Sequence, residues 1–579
     1  MENADVARQL GEMADILELT GGNPFKVRAY RAAAQVIDTL PEPVEEVWRR
    51  GALTDLPSIG TGIAEEIGEL LATGHSPRHD ELARQVPLGV LELLRLEGVG
   101  PRTVEAMWKQ LGVTDLDSLE AAIADGSLAR LPRMGPVRIR SIREALERYR
   151  GRGSRLPIHR ALFYAEGMLG RLRKARGVIR AEAAGSLRRR METVGDIDLL
   201  VCSEEPEAVR RAFVALPGVA KVLATGETKS SVRLEAGVQV DLRVVPPESW
   251  GAALHYFTGS KRHNVSIRTR AVRRGLKINE YGIFDRHDRR IGGEREEEIF
   301  EAVGLPWIPP ELREANGEIE AAEAGRLPVL VEEADVLGDL HVHSRASTDA
   351  RATIEKLALE ARRLGRSYLA ITDHSRSRPL GLDEEGVLRV AAETRRIERR
   401  LGGSPRLLTG VEVDILPDGS LDLPLELLAR LDWVVASIHS RFHEPAEETT
   451  ARLIRAIRSG VVDLIGHPTG RQIGKRDPYP FDLGAVLEAA AACGVAMEVN
   501  AMPDRLDLND KACRLAREAG VQVVIDSDAH NESHLANLRY GVWVARRGWL
   551  EAKDVRNTRP PGELRRRGRR TYDAAEAAR

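Results

Sequence analysis

The sequence is poor in cysteine and contains no long apolar run. Its three cysteines among 579 residues, Cys202, Cys493 and Cys513, form no C-x-x-C pair. This argues against a disulfide framework or a thiolate zinc site, so any metal must be held by histidines and carboxylates. No apolar run approaches the roughly 18 residues that a membrane span requires. The first residues lack the features of a signal peptide, and we therefore expect a cytoplasmic protein.

Length and charge indicate a protein of several domains. A chain of 579 residues is too long for one core, and 42% hydrophobic with 30% charged residues is typical of soluble globular proteins. The net charge of −2 does not show the strongly basic balance that is typical of proteins that bind nucleic acid. The charge is uneven, however, because basic residues outnumber acidic ones about two to one between Arg152 and Arg274.

The hydrophobic pattern changes along the chain. Residues 1–150 show helical spacing, 156–245 mix β-branched runs with helical stretches, and an acidic stretch that we interpret as a linker spans 317–336. Beyond it, short apolar strands alternate with helices, and repeated βα units predict a parallel barrel. The predicted strands are 337–340, 368–372, 407–411, 433–438, 461–465, 495–499 and 521–525.

Two segments near the front, LPSIGTGIAEEIGELL and LEGVGPRTVEAMWKQL, share a glycine turn followed by an amphipathic helix. They resemble helix-hairpin-helix motifs, in which glycines let the backbone approach a phosphate and helix N–H groups bind it without reading sequence. A simple helical hairpin with a glycine turn is the alternative, which repetition disfavours. The expected DNA contacts are Gly60, Gly62, Gly98 and Gly100.

The segment AAGSLRRRMETVGDIDLLV has the chemistry of a phosphate-transfer site. Asp196 and Asp198 alternate along a predicted strand and therefore share one face, where they can hold divalent cations. Asp241, in the later strand VQVDLRVV, completes a two-metal site. Ser186 and Arg189 suit a triphosphate, the arginine as a forked partner.

The chain up to about Pro310 resembles the family X DNA polymerases, of which DNA polymerase beta is the familiar member. The resemblance is carried by GSLRRRMETVGDIDLL, VDLR, YFTGSKRHNVSIR and GLKINEYGIF. It implies that Asp196, Asp198 and Asp241 bind Mg²⁺ or Mn²⁺, with Asp241 as general base for the primer terminus. The residues with implied nucleotide contacts are Arg155, Gly185, Ser186, Arg189 and Gly195 for the triphosphate; Tyr256, Phe257, Thr258 and Gly259 for the sugar; and Lys261, Asn264 and Arg268 near the nascent base pair.

Two positions depart from the family pattern. Val194 replaces a small hydroxyl residue, which removes one phosphate contact. Glu66 stands where relatives that remove 5′-deoxyribose phosphate carry a Schiff-base lysine, and no lysine occurs between Lys26 and Lys109. A carboxylate cannot form an imine, so we predict that this lyase activity is absent.

Histidines and carboxylates follow the predicted strands of the C-terminal region. Eight of the 14 histidines lie beyond residue 337, most at strand ends, which a barrel gathers at one face. The region resembles the PHP (polymerase and histidinol phosphatase) domain, which implies three Zn²⁺ or Mn²⁺ ions, Glu412 as the bridging ligand and hydrolysis of phosphate esters. The implied ligands are His341, His343, Asp349, His374, Glu412, His439, His467, Asp528 and His530.

We therefore expect a multidomain protein with all-α helix-hairpin-helix domains, an α/β nucleotidyltransferase palm, an α+β thumb and a distorted (β/α)7 PHP barrel. The expected function is gap filling in DNA repair by a monomer that binds gapped or primed DNA and deoxynucleoside triphosphates, with a 3′-5′ exonuclease or 3′-end-processing activity in the barrel. The expected boundaries are 1–88 and 89–154 for the helical domains, 155–245 for the palm, 246–316 for the thumb, 317–336 for the linker and 337–579 for the barrel.

Two other interpretations stay open. One is a template-independent nucleotidyltransferase joined to a small-molecule phosphatase, which the hairpin motifs and YFTGSKRHNVSIR disfavour. The other is a DNA-end scaffold without catalysis, which would need at least one of the two residue sets to be incomplete.

Overall fold

A computed structural model describes residues 3–38, 40, 44–56, 58–73, 76–94, 96, 99–132, 134–152, 155–226, 228–378 and 381–564. The chain divides into two compact units, Met1–Ser154 and Arg155–Arg579. Among the described residues, no helix combines the length and apolar character needed to cross a membrane.

The described residues of the first unit form helices joined by turns and short loops, without a strand. Val6, Leu10, Met13 and Leu17, the apolar positions that predicted the first helix, are all buried, and they belong to the core of this unit. The helices are α1 Asn3–Leu19, α2 Pro24–Asp38, α3 Val44–Arg49, α4 Thr61–Thr73, α5 Pro77–Ala83, α6 Leu88–Leu93, α7 Pro101–Leu111, α8 Leu116–Ala124 and α9 Pro136–Arg152.

The second unit begins with a five-stranded sheet, the palm. Its order is β2-β4-β7-β6-β5, in which β4 and β7 are parallel and the other pairs antiparallel. A short antiparallel pair, β1 with β3, lies beside it. The elements are β1 Leu156–Pro157, α10 Ile158–Leu172, β2 Val178–Ala183, α11 Gly185–Arg188, β3 Thr193–Val194, β4 Ile197–Ser203, α12 Pro206–Val214, β5 Val219–Thr225, β6 Ser230–Leu234 and β7 Gln239–Val245.

A helical and β-hairpin region, the thumb, follows the palm. Its elements are α13 Trp250–Thr258, α14 Lys261–Arg273, β8 Lys277–Asn279, β9 Gly282–Phe284, β10 Arg290–Gly292 and α15 Glu296–Ala302. The stretch 317–336, which the sequence analysis interprets as a linker, contains α16 Glu318–Glu323. Glu318 is fully buried with Oε1 2.8 Å from Nδ1 of His263, and the backbone of Val331 donates to the carbonyl of Leu550, so this stretch is packed.

The last part of the described chain forms a parallel sheet of seven strands. Neighbouring strands in this sheet are also consecutive along the chain. A bridge between Val342 and Ala529 joins the first strand to the segment after the last, so the sheet nearly closes into the predicted barrel. The elements are β11 Gly338–Val342, α17 Ile354–Arg363, β12 Tyr368–Ile371, α18 Glu384–Arg400, β13 Arg406–Asp414, α19 Leu425–Arg430, β14 Trp433–Ser437, α20 Ala446–Ile457, β15 Leu464–Ile465, α21 Leu483–Cys493, β16 Ala496–Asn500, α22 Asp510–Glu518, β17 Val523–Asp526 and α23 Leu538–Arg547.

Substitution of Gly338 tests how tightly the barrel strands are packed. A Cβ there would lie 2.1 Å from the ring of Tyr368 on the neighbouring strand, so Gly338→Ala should destabilise the barrel by about 1–3 kcal/mol through overpacking. Thermal unfolding followed by circular dichroism measures the effect. Gly167→Ala is the matched control, because a Cβ in that helix meets no atom within 4 Å. Equal midpoints for the two variants would contradict the packing.

Candidate active sites

Three carboxylates meet at one edge of the palm. Asp198 on β4 is in register with Asp241 on the parallel strand β7, and Asp196 directly precedes β4. Ligand oxygens from the three lie within 4.8 Å of one another, close enough to share divalent cations. Gly185, with φ of 58°, abuts this cluster, and a Cβ there would lie 2.0 Å from Oδ2 of Asp198. A residue without a side chain is therefore required beside the carboxylates.

These carboxylates concentrate negative charge. Burial, together with the charges of Asp196 and Asp241, raises the pKa of Asp198 to about 7. Burial also acts to raise the pKa of Asp241, but hydrogen bonds, led by that from Lys229, outweigh it and lower the pKa. Nζ of Lys229 lies 2.5 Å from Oδ2 of Asp241. Lys229 is not predictable from the sequence, because it belongs to no motif and reaches the cluster only through strand pairing.

A cavity of about 550 Å³ opens beside the carboxylates. It is bounded by α11 and the loop after it, by the start of β4, and by the junction of α13 and α14. All the residues with predicted nucleotide contacts line it: Arg155, Gly185, Ser186, Arg189, Gly195, Tyr256, Phe257, Thr258, Gly259, Lys261, Asn264 and Arg268.

A buried ion-pair network fixes the wall of this cavity. Arg188 donates to both carboxylate oxygens of Glu296, at 2.6 and 2.9 Å, and to Oγ1 of Thr258 at 2.7 Å. Arg313, fully buried, donates to the same carboxylate at 2.7 Å. Burial opposes the charge of Glu296, but the two arginines outweigh it and hold the pKa well below its usual range. The network therefore stays charged and ties the palm to the thumb.

The barrel brings histidines and carboxylates together at the carboxyl ends of its strands. Among the described residues, three overlapping groups in the barrel place ligand atoms within 4.8 Å of one another. The groups are His343, His374 and His530; His341, His343 and Glu412; and His374, Glu412 and His439.

Glu412 on β13 lies at the centre of the cluster and is almost fully buried. Its carboxylate oxygens lie 3.5, 3.6, 2.7, 3.4 and 3.0 Å from ring nitrogens of His341, His343, His374, His439 and His467 respectively. Two more carboxylates complete the cluster, with Asp528 3.1 Å from His343, and Asp349 3.3 Å from His374 and 3.6 Å from His530. The nine ligands predicted from the sequence therefore lie together.

The donor set fits cations. Within the described part of the chain, the buried nitrogens Nε2 of His341, Nε2 of His343 and Nδ1 of His374 make no hydrogen bond, although carboxylates face them. Burial opposes a charge on His374, but Glu412 and Asp349 outweigh it and raise the pKa to about 10. Burial and the neighbouring His374 and His530 lower the pKa of His343 to about 3. Metal cations would satisfy these nitrogens and replace the protons.

Further carboxylates, which are not among the residues predicted from the sequence, orient the histidines. Oδ1 of Asp414 lies 2.5 Å from Nδ1 of His439, and Oε1 of Glu498 lies 2.6 Å from Nδ1 of His341. Such partners fix ring orientation and tautomer at metal sites. Glu498 had a usable signal, because it is a carboxylate inside the apolar strand AMEVN.

The hairpin glycines lie in the first unit. Gly60 directly precedes α4, Gly62 lies in its first turn, and Gly100 caps α7. All three are exposed, and a Cβ at each would meet no atom within 4 Å, so their backbone is open to an approaching phosphate. Gly98, the remaining predicted DNA contact, lies outside the described residues.

Glu66 lies on α4 and accepts a hydrogen bond of 2.7 Å from the hydroxyl of Tyr30. Burial raises the pKa of Glu66 above its ordinary value. The side chain is thus engaged with a phenol and offers no amine for imine chemistry.

Comparisons with known proteins follow the same division of the chain. Family models match residues 1–76 (helix-hairpin-helix domain), 90–148 (SAM-like helix-hairpin-helix tandem), 253–314 (DNA polymerase beta thumb) and 339–500 (PHP domain). The palm, the thumb and the barrel together define a polymerase-type protein with a PHP domain.

Among known proteins, the chain is 38% identical over 564 residues to the DNA polymerase/3′-5′ exonuclease PolX of Bacillus subtilis, covering 96% of this chain and 98% of that protein. A probable phosphatase of Caldanaerobacter subterraneus is 39% identical over 204 residues, 33% of this chain and 75% of that protein. A probable phosphatase of Vibrio parahaemolyticus is 34% identical over 234 residues, 39% of this chain and 90% of that protein. The chain belongs to the family X DNA polymerases that carry a C-terminal PHP domain.

Glu412→Gln should lower metal retention by the barrel about a hundredfold or more, because the amide removes the negative charge shared by five imidazoles. Metal bound after dialysis against a graded chelator series, read by mass spectrometry, measures the change. His443→Gln is the control, since His443 is exposed and stands outside the cluster. Retention equal to wild type in Glu412→Gln would contradict the assignment.

Incubation with a 5′-deoxyribose-phosphate DNA end and borohydride should leave no covalent adduct on the first unit, because Glu66 replaces the amine. Gel electrophoresis of the labelled DNA detects an adduct directly. Glu66→Lys serves as the comparison variant. A trapped adduct in the wild-type protein that maps to α4 would overturn the prediction.

Proposed function

We propose that the protein extends the 3′ end of gapped or primed DNA with deoxynucleotides and that its barrel hydrolyses phosphate esters at 3′ ends. The observation that carries the proposal is that a carboxylate triad and a nine-ligand cluster occur together in one chain. The similarity along nearly the whole length of a polymerase and 3′-5′ exonuclease supports it. The expected setting is DNA repair in the cytoplasm, with the protein acting as a monomer.

In the palm, Asp196, Asp198 and Asp241 would hold Mg²⁺ or Mn²⁺. Bound cations at such a site stabilise the negative charge that develops on the transferred phosphate. Asp241 is the group that takes the proton of the primer 3′-hydroxyl. Burial and the charges of Asp196 and Asp241 raise the pKa of Asp198, and bound cations would offset both effects.

The cavity would hold the incoming deoxynucleoside triphosphate. Arg155, Ser186, Arg189 and the backbone at Gly195 face the phosphates, since a forked arginine and exposed N–H groups suit phosphate oxygens. A second set would select the sugar and the base pair: Tyr256, Phe257, Thr258, Gly259, Lys261, Asn264 and Arg268. Asn264 already donates to the carbonyl of Tyr256 at 2.7 Å, which fixes its side chain at the cavity wall.

In the barrel, the nine clustered ligands would hold three Zn²⁺ or Mn²⁺ ions. Bound ions at such a cluster supply an activated water for hydrolysis of a phosphate ester. Two arginines at the edge of the cluster suit the phosphate itself. Arg378 lies 3.7 Å from Asp349, and Arg505 lies 3.8 Å from Asp528.

Removal of a 3′-terminal phosphate is a second candidate activity of the barrel. The observation that favours it is the similarity of the barrel to probable phosphatases over 75% to 90% of their length. A duplex with a 3′-phosphorylated primer distinguishes the two activities, because phosphatase activity leaves the primer length unchanged while exonuclease activity shortens it.

A 5′-labelled primer on a gapped duplex with Mn²⁺ tests both sites. Asp198→Asn should lower primer extension about a hundredfold or more and leave shortening intact, because it removes one ligand of the palm. His343→Gln should do the reverse. Each variant is the control for the other. Wild-type rates of both reactions in both variants would contradict the proposal and favour a scaffold without catalysis.

A further inference from the structure

The loop of residues 189–192, called here the palm loop, connects α11 to β3 and lines the nucleotide cavity through Arg189 and Met191. Three of its four residues are held by the barrel. The carbonyl of Arg189 accepts a hydrogen bond of 3.0 Å from Arg547, and Arg190 stacks 4.1 Å from the ring centre of Trp543. Glu192 accepts from Arg471 at 2.7 and 3.3 Å. We call Arg471, Trp543 and Arg547 the clasp.

Arg547 joins the barrel to the cavity wall. It is the last residue of α23, its side chain is 7% exposed, and it donates to Asp510 at 2.6 Å. It also lies 3.4 Å from Oε1 of Glu314, the same oxygen that accepts from Nε of Arg189 at 2.8 Å. Arg189 is thereby fixed twice by Arg547, at its backbone and through the shared carboxylate.

Arg471 holds the other end of the palm loop. It is buried, donates also to the carbonyl of Leu506, and stands four residues after the cluster histidine His467. A buried arginine stripped of its carboxylate partner leaves an uncompensated charge, so Glu192 and Arg471 constrain each other strongly. Glu192 in turn directly precedes β3, which pairs with β1.

The loop itself is strained. Arg190 has φ of 58°, a left-handed conformation that a side chain with a Cβ adopts at a cost of about 1–3 kcal/mol. Such a conformation persists where surrounding contacts impose it, and the stacking of Arg190 on Trp543 is a contact from the barrel. Palm contacts also shape this turn, because the amides of Arg190 and Met191 donate to the carbonyls of Leu187 and Ser186 at 3.1 and 3.0 Å as a C-terminal cap of α11. The barrel contacts add to this cap.

We infer that the barrel is a structural part of the nucleotide site: the clasp holds the palm loop so that Arg189 is positioned for the triphosphate. This inference rests on the proposed polymerase function. Arg547, Arg471 and Trp543 are positioning residues that touch no reacting atom. Loss of the clasp should weaken nucleotide binding. The positions of the palm carboxylates, and hence kcat at saturating nucleotide, should change little.

Arg547→Met and Glu192→Gln break the clasp from its two sides. Glutamine keeps the size of Glu192 and an oxygen that can accept from Arg471, and a circular dichroism spectrum equal to that of wild type establishes that each variant is folded. The Michaelis constant for the deoxynucleotide in gap filling should rise about five- to twentyfold, within the range typical of coupling between sites, with kcat changed about twofold or less. Arg547→Lys should raise the Michaelis constant less than Arg547→Met does. The lysine amine can still reach Asp510 or Glu314, but it cannot contact both as the forked guanidinium does.

Arg546→Met is the matched control. Arg546 is the preceding residue of the same helix and pairs across the same domain junction with Glu311 at 2.8 Å. Its hydrogen bonds go to Glu311, Val331 and Glu332 rather than to the palm loop. Hydrogen exchange of the amides of residues 189–192 supplies a readout independent of activity. Exchange should quicken in Arg547→Met and Glu192→Gln and stay at the wild-type rate in Arg546→Met.

The outcomes separate this inference from the proposed function. Absence of nucleotide incorporation by the wild-type protein would refute the proposed function. Incorporation by wild type, with Michaelis constants and exchange rates in Arg547→Met and Glu192→Gln that equal those of Arg546→Met, would refute the clasp and leave the proposed function standing.

Discussion

Parallel strand pairing is the constraint on which both candidate sites depend, because it brings the same ends of neighbouring strands to one edge. In the palm, the parallel pair β4 and β7 places Asp198 in register with Asp241. In the barrel, a succession of parallel strands delivers His341, Glu412 and the other ligands to one face. Carboxylates that repel one another, and histidines whose buried nitrogens need a partner, are thus held close together. They cannot move apart unless the hydrogen bonds of the sheet are broken. Cations are the natural counterpart to such clusters.

Much of this arrangement was predictable from the sequence. The fold class is confirmed, and each of the strands predicted for the barrel is present with ends that differ by a few residues, for example Leu464–Ile465 where 461–465 was expected. The ligands could be found because period-two strands and strand-end residues leave a pattern in a single sequence. The same holds for the carboxylates around the segment GDIDLL.

Long-range pairs left no such pattern. Lys229 with Asp241, Arg313 with Glu296, and Glu192 with Arg471 join residues whose proximity is set by tertiary packing. Nothing in local periodicity marks one arginine among many as buried, and in a chain with 86 Lys and Arg residues composition offers little discrimination. The packing of 317–336 was missed for a related reason, since an acidic stretch resembles a solvated linker until Glu318 meets His263. The contacts from the barrel to the palm loop, such as Arg547 with the carbonyl of Arg189, are likewise set by tertiary packing and leave no pattern in the local sequence.

The proposed function depends on two separate clusters in one chain, each suited to bind cations, one for each chemistry. A crystal structure of the protein with Mn²⁺, with data collected at the manganese absorption edge, tests it most directly. We expect anomalous peaks beside Asp196, Asp198 and Asp241 and a second group of peaks around Glu412. Peaks at only one of the two clusters, or manganese bound at other residues while Glu412 and the palm carboxylates hold none, would contradict it.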